Sequence, residues 1–117
     1  MISVPSNTSI YLHVAPVDFR NGISGLGRIC KTQLKKQPMS GAIFGFINKR
    51  KVSLKILYYD GSGFWLLHKR LSSGKVQGWP SYCGKIKELE ARELQLLIMG
   101  ANLDKAEFSN DWKKLLK

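Results

Sequence analysis

The side chains in this sequence best placed to do chemistry are cations. Lys49-Arg50-Lys51 fall together in a stretch with turn character, where solvated positive charges can approach a phosphate backbone and release its counterions. Lys55, Lys69 and Arg70 flank a run containing Tyr59 and Phe64, a composition suited to holding phosphate beside a stacked base or ribose. With Arg20 from the same basic region, the candidate nucleic-acid-binding residues are Arg20, Lys49, Arg50, Lys51, Lys55, Tyr59, Lys69 and Arg70. Lys69 and Arg70 have opposite parity, so a flat strand cannot turn both toward one ligand.

Catalytic chemistry is harder to assemble. Two-metal phosphodiester cleavage needs several carboxylates converging on the ions, and only Asp18 and Asp60 lie within the basic stretch. Asp18 reads as a helix cap and Asp60 as a turn former. Glu88, Glu90 and Glu93 sit near the start of an expected helix, where dipole and capping alone favour carboxylates. His13 and His68 have no Ser or Cys beside them in a readable nucleophile motif. Gly22, Gly25 and Gly27 lack the preceding strand and Lys of a phosphate loop. Cys30 and Cys83 have no metal-ligand spacing, and Cys30 falls in register with an apolar stripe, as a core residue does. The expectation is no catalytic set, no metal and no cofactor, with a small metal-dependent nuclease as the enzymatic alternative.

Overall composition points the same way as the candidate residues. The 117 residues carry 19 Lys and Arg against 8 Asp and Glu, a formal net charge of +11. Between Phe19 and Lys87 stand fourteen of the cations and a single acid, Asp60. Such a field attracts polyanions: nucleic acid, an anionic membrane surface or an acidic protein. No run approaches the roughly 20 apolar residues that span a bilayer, and Met1 to Asn7 has no signal-peptide pattern, so a cytoplasmic, nucleoid-associated protein with no membrane partner is expected. The length suits one domain with its own core.

The elements that must carry these residues alternate along the chain. Ser9 to Ala15 reads as a strand, and a helix follows from about Asn21 to Lys36, with Ile23, Leu26, Cys30 and Leu34 on one face. Three strands, Ala42 to Ile47, Val52 to Tyr59 and Phe64 to Leu71, form a meander through turns at Asn48 to Lys51 and Asp60 to Gly63. Parity assigns Val52, Leu54, Ile56, Tyr58, Trp65, Leu67 and Leu71 to the core face, and Lys55, Leu57, Tyr59, Phe64, Leu66, His68 and Arg70 to the other. Exposed apolar groups on that second face would mark an interface. Trp79-Pro80 argues for an edge or loop, and a second helix is expected from about Glu90 to Met99, with Leu94, Leu97 and Ile98 inward and Gly100 as its stop. Phe108, Trp112, Leu115 and Leu116 are spaced for a short amphipathic helix in a tail. The expected class is α+β: a mainly antiparallel sheet with both helices packed on one face, a single compact domain over residues 1–102 and a tail over 103–117.

The hairpin block from Lys55-Ile56-Leu57-Tyr58-Tyr59-Asp60-Gly61-Ser62-Gly63-Phe64-Trp65 to Leu71 resembles the most characteristic segment of one family. Asp18-Phe19-Arg20-Asn21-Gly22, Ser40-Gly41-Ala42-Ile43-Phe44-Gly45-Phe46, Trp79-Pro80 and Leu94 with Leu96-Leu97 follow that family's order over roughly residues 4 to 102. The chain is similar to TnpB, the second-open-reading-frame product of the insertion-sequence-sixty-six group of bacterial transposable elements. It is not similar to the much longer RNA-guided nucleases that share the label. The resemblance implies a non-catalytic accessory role in transposition beside the transposase encoded by the same element. With the charge pattern, it leads to two readings. One is a factor that binds nucleic acid, most simply DNA, and the other an adaptor that docks on the transposase without touching DNA.

Overall fold

The computed structural model describes residues 7–81 and 84–99, so the expectations for Gly100 and the tail lie outside the described residues. Seven elements follow in the order β1 (Ile10–His13), α1 (Ile23–Thr32), β2 (Ile43–Ile47), β3 (Ser53–Tyr59), β4 (Phe64–Arg70), β5 (Ile86–Leu89) and α2 (Ala91–Ile98). The strands form one sheet in the order β4-β3-β2-β1-β5. The meander β2-β3-β4 is antiparallel throughout, with Phe44 opposite Leu57 and Leu57 opposite Leu66. β1 lies parallel to β2, because the chain between them makes a crossover through α1, the connection a parallel pair requires. β5 returns antiparallel to β1 and forms the second edge.

The α+β class and the mainly antiparallel sheet are as the sequence implied, and the helices are where the expectation is corrected. They lie on opposite faces. On one face Leu26, Cys30 and Leu34 close over Phe44, Phe46 and Leu57. On the other, Leu94 and Leu97 of α2 join Val76 and Trp79 over Ile10, Leu12, Ile43, Ile47, Leu54 and Ile56. β2 therefore has no outward face, and all five of its residues are buried. A strand covered on both sides reads as a continuous apolar run, as Ile43-Phe44-Gly45-Phe46-Ile47 does. The interface anticipated on the Leu57 and Leu66 face is instead the seat of α1.

Local chemistry sets the element ends. Asp18 does not cap α1: its carboxylate accepts the backbone N–H of Arg20, and the helix starts after Gly22 with no side-chain cap. α2 has a full capping box, in which the Glu90 side chain accepts the backbone N–H of Glu93 and Glu93 Oε1 accepts the Glu90 N–H at 3.0 Å. Trp79 belongs to a loop and is buried, its indole N–H donating to the Val14 carbonyl at 3.0 Å. β5 has no strand signal of its own, because Ile86-Lys87-Glu88-Leu89 does not alternate and forms a strand only by pairing along β1.

Candidate nucleic-acid interface

The β2–β3 turn is held open by one side chain. Asn48 Oδ1 accepts the backbone N–H groups of Val52 at 3.0 Å and Ser53 at 3.2 Å, and Lys51 takes a left-handed conformation with φ of 59°. Lys49, Arg50 and Lys51 are thereby displayed on an ordered turn with all three side chains exposed. The segment carrying Arg20 is tied to the same end of the sheet, because the Val17 N–H donates to the Ile47 carbonyl at 2.9 Å.

These two segments meet. Arg20, Lys49 and Arg50 line one open depression of about 460 Å³ together with Val17, Asp18, Phe19 and Asn48. Asp18 is its one carboxylate, and the Arg20 guanidinium grips it with Nη2 to Oδ2 at 2.6 Å. The hydrogen bonds from the Arg20 side chain and backbone hold the Asp18 carboxyl at about 2, with smaller help from the charges of Arg20 and Lys49. One anion among three cations leaves the depression net positive. Arg70 is close in the fold as well: it pairs with Ser53, lies on the same face as His68, and Leu71 next to it donates to the Val52 carbonyl beside the turn.

The other candidates go elsewhere. Lys55 is buried at 7 % exposure, and its Nζ donates to the carbonyls of Phe19 at 2.8 Å and Asn21 at 3.0 Å while lying over the Phe19 ring. It is a clamp under the Arg20 segment rather than a phosphate contact. Lys51 lines a different depression, with Lys85, Trp79 and Pro80. Lys69 faces the α2 side and donates to the Ile98 carbonyl at 2.6 Å, a favourable place for a cation at a helix C-terminus. Tyr59 sits at the far end of β3, its ring against Phe64 and its hydroxyl donating to the Gly61 carbonyl, so the pair packs on itself.

The residues that position the cluster carry little signal in the sequence. Asn48 is legible as part of a turn but not as its organiser. Phe19, which sits edge-on to the His68 ring and under the Lys55 ammonium, has no local pattern announcing that role.

Among the described residues the two aspartates do not converge. Asp18 lies beside the β2–β3 turn and Asp60 in the β3–β4 turn, separated by a seven-residue strand that spans roughly 23 Å. Asp60 is engaged by the N–H groups of Ser62 and Gly63, the Ser62 hydroxyl and the Trp65 indole. His13 is buried, with Nδ1 donating to the Ala15 carbonyl and Nε2 against the Gln33 amide, both at 2.6 Å. Cys30 lies on the buried face of α1, and that burial pushes its thiol up to about 12. Among the described residues no group of three or more His, Cys, Asp or Glu is placed to hold a metal, and no helix is long and apolar enough to cross a membrane.

With this geometry in place, the family model described as IS66 Orf2 like protein matches residues 8–108. The chain belongs to that family. The matched span contains all seven elements and every candidate contact residue of this IS66 Orf2-like protein. It is 37% identical over 100 residues to the uncharacterized protein y4jC of Sinorhizobium fredii, covering 86% of this chain and 85% of that one. It is 29% identical over 100 residues to the uncharacterized protein y4hO of the same organism, covering 86% of each. No solved structure matches the chain. Membership connects the protein to insertion-sequence transposition as an accessory protein.

Proposed function

We propose that this IS66 Orf2-like protein is a non-catalytic accessory factor of transposition that binds nucleic acid, most simply DNA, through the depression between the Asp18 to Arg20 segment and the β2–β3 turn. The observation that carries the reading is the convergence of Arg20, Lys49 and Arg50 from separate segments on one exposed, net-positive surface. Arg70 extends that surface along the neighbouring strand end. Phosphate can take the forked donors that Arg20 now offers Asp18, since the Arg20 side chain is 91% exposed. The separation of Asp18 from Asp60 argues against a two-metal nuclease. The transposase of the same element is the natural protein partner, and a nucleoid-associated location follows from DNA binding.

A mobility-shift titration across salt tests this. Three or four phosphate contacts give a slope of log K against log salt of roughly −3 to −4, and Arg20→Ala, Lys49→Ala and Arg50→Ala each reduce it by about 1. Lys69→Ala leaves it unchanged, since that ammonium serves α2 on the other face. Absence of any shift at low salt overturns the proposal. If the transposase still co-purifies after nuclease treatment in that case, the adaptor reading takes its place. Plasmid cleaved with magnesium or manganese by the wild type but not by Asp18→Asn or Asp60→Asn would establish the nuclease instead.

A further inference from the structure

Among the described residues β4 is an edge strand, and β3 is its one neighbour in the sheet. Backbone bonding leaves half of its groups pointing outward. Leu71 N–H donates to the Val52 carbonyl at one end and Asp60 N–H to the Gly63 carbonyl at the other, so the odd-numbered residues of β4 bond to β3. The N–H and C=O groups of Phe64, Leu66, His68 and Arg70 face the open edge. Soluble proteins commonly blunt such an edge with shortness, a proline or a bulge. β4 has seven residues and no proline, and it matches β3 residue for residue.

The side chains along the edge are sorted by chemistry. Phe64 and Trp65 occupy its N-terminal end, Lys69 and Arg70 its C-terminal end, and Leu67 its centre. Trp65 is 49% and Leu67 42% exposed, and Asp60 Oδ2 accepts the Trp65 indole N–H at 2.9 Å, which pins the ring. A second copy running parallel in register would set Lys69 against Lys69 and Arg70 against Arg70. A copy running antiparallel about Leu67 does the opposite: Lys69 meets Trp65 and Arg70 meets Phe64, so each cation lies across from an aromatic ring. The same register satisfies the backbone. Phe64 with Arg70 and Leu66 with His68 are pairs of outward-facing residues, as hydrogen-bonded pairs must be, while Leu67 with Leu67 and Trp65 with Lys69 fall at the closer non-hydrogen-bonded positions. A slip of one residue would join outward-facing groups to groups already bonded to β3. A slip of two sets Lys69 and Arg70 opposite the Asp60 to Gly63 turn in one direction, and His68 opposite His68 in the other.

We infer that β4 is a dimer interface, at which two copies of this chain pair antiparallel about Leu67 and join their five-stranded sheets into one continuous sheet. The pairing brings the exposed Trp65 and Leu67 side chains of both copies together on the α2 side. It is independent of the proposed DNA contact, because no residue lining the cationic depression belongs to β4.

Sedimentation equilibrium and amide exchange on the full-length protein test it, over a concentration series reaching roughly 0.5 mM, because an edge of seven residues makes a small interface. The expected result is a monomer–dimer equilibrium in which exchange of the Leu66 and His68 amides slows with the dimer fraction, about ten-fold where about nine-tenths of the chains are paired. The Leu67 amide, already bonded to β3, does not change with concentration. Leu67→Lys, which sets an ammonium group from each copy at the centre, abolishes the dimer and the slowing. Under mild oxidation Leu67→Cys forms a disulfide dimer about ten-fold faster than Lys69→Cys, since only position 67 lies opposite itself. A monomer at every concentration overturns the inference. So does a dimer in which the Leu66 and His68 amides keep their monomer rates, or in which both cysteine variants cross-link alike. Slow exchange of those amides in the monomer also overturns it and assigns the edge to another segment of the same chain.

Discussion

The two faces of the sheet solve the same burial problem to different extents. Under α1, the apolar residues of β2 and β3 are fully enclosed, with Phe44, Phe46 and Leu57 at 0% exposure. Under α2, enclosure is equally tight at the centre and fails at the β4 edge, where Trp65 and Leu67 stand in the open. A ten-residue helix and its flanking loops cover one face, whereas an eight-residue helix and the Val76 to Trp79 loop cover part of the other. Alternation within β4 thus says which residues share a face, and the length of the covering layer decides which of them are buried.

The largest test of this contrast sets Phe44→Ala against Leu67→Ala. Phe44 sits in the α1 layer with no exposed surface, and its truncation leaves a cavity that costs about 3–5 kcal/mol. Leu67→Ala, the same kind of truncation on the patch, costs less than about 1 kcal/mol if nothing covers it. Urea denaturation of both variants reads the difference, and equal losses would break the contrast.

The positions of β1 to β4 are legible to within two residues, because turn formers bound them and the hairpin at Asp60 to Gly63 has a strong local signal, whereas β5 goes unread because it becomes a strand only by pairing along β1. Burial is not legible, because parity gives only a two-way partition and both sides of β2 and β3 turned out to be core. Lys55 shows the cost of that partition. Its residue type suggested a phosphate contact, while its burial depends on Phe19 and Asn21, more than thirty residues away in sequence. Lys49 and Arg50 were legible as cations in a turn. Their meeting with Arg20 depends on the bond between Val17 and Ile47, which no local pattern encodes.

Lys55 supplies the next effect in size. Replacing it by Met keeps an apolar stem between β3 and Phe19 but leaves the Phe19 and Asn21 carbonyls without their donor. The expected loss is about 2–3 kcal/mol, in the range for hydrogen bonds to a charged group. The distinguishing readout is local: amide exchange should rise in residues 18–22 more than in β2. A Lys55→Met protein as stable as the wild type would mean that the ammonium does not hold the Arg20 segment.

Gly45 probes the tight centre of the α2 face. A Cβ at this position would lie 2.5 Å from Leu12 Cδ2, and Leu12 has no exposed surface into which to retreat. Gly45→Ala should cost about 1–2 kcal/mol through overpacking, and Leu12→Val in the same chain should recover part of it. Thermal unfolding of the single and double variants measures the coupling. Additive losses would place the strain elsewhere and loosen the picture of a fully packed centre beside an open edge.

The smallest effect lies at the hairpin tip that carries the open edge. Asp60 is fully exposed, yet the N–H of Ser62, the indole N–H of Trp65, the Ser62 hydroxyl and the N–H of Gly63 hold its carboxyl at about 2 against an ordinary 3.8. Because the folded value lies below the unfolded one, the stabilisation is complete above about pH 4 and disappears as pH falls toward 2. The Trp65 indole resonance should therefore titrate near pH 2 in the wild type and be flat in Asp60→Asn, which keeps an oxygen acceptor but not the charge. Stability of Asp60→Asn should also vary less with pH across that window, with the remaining dependence removed when Asp18→Asn is added. A wild-type midpoint near 3.8 would mean that the network is not formed in solution. Trp65 would then lack the anchor that fixes its ring on the exposed face, and the patch would be less defined than the core it adjoins.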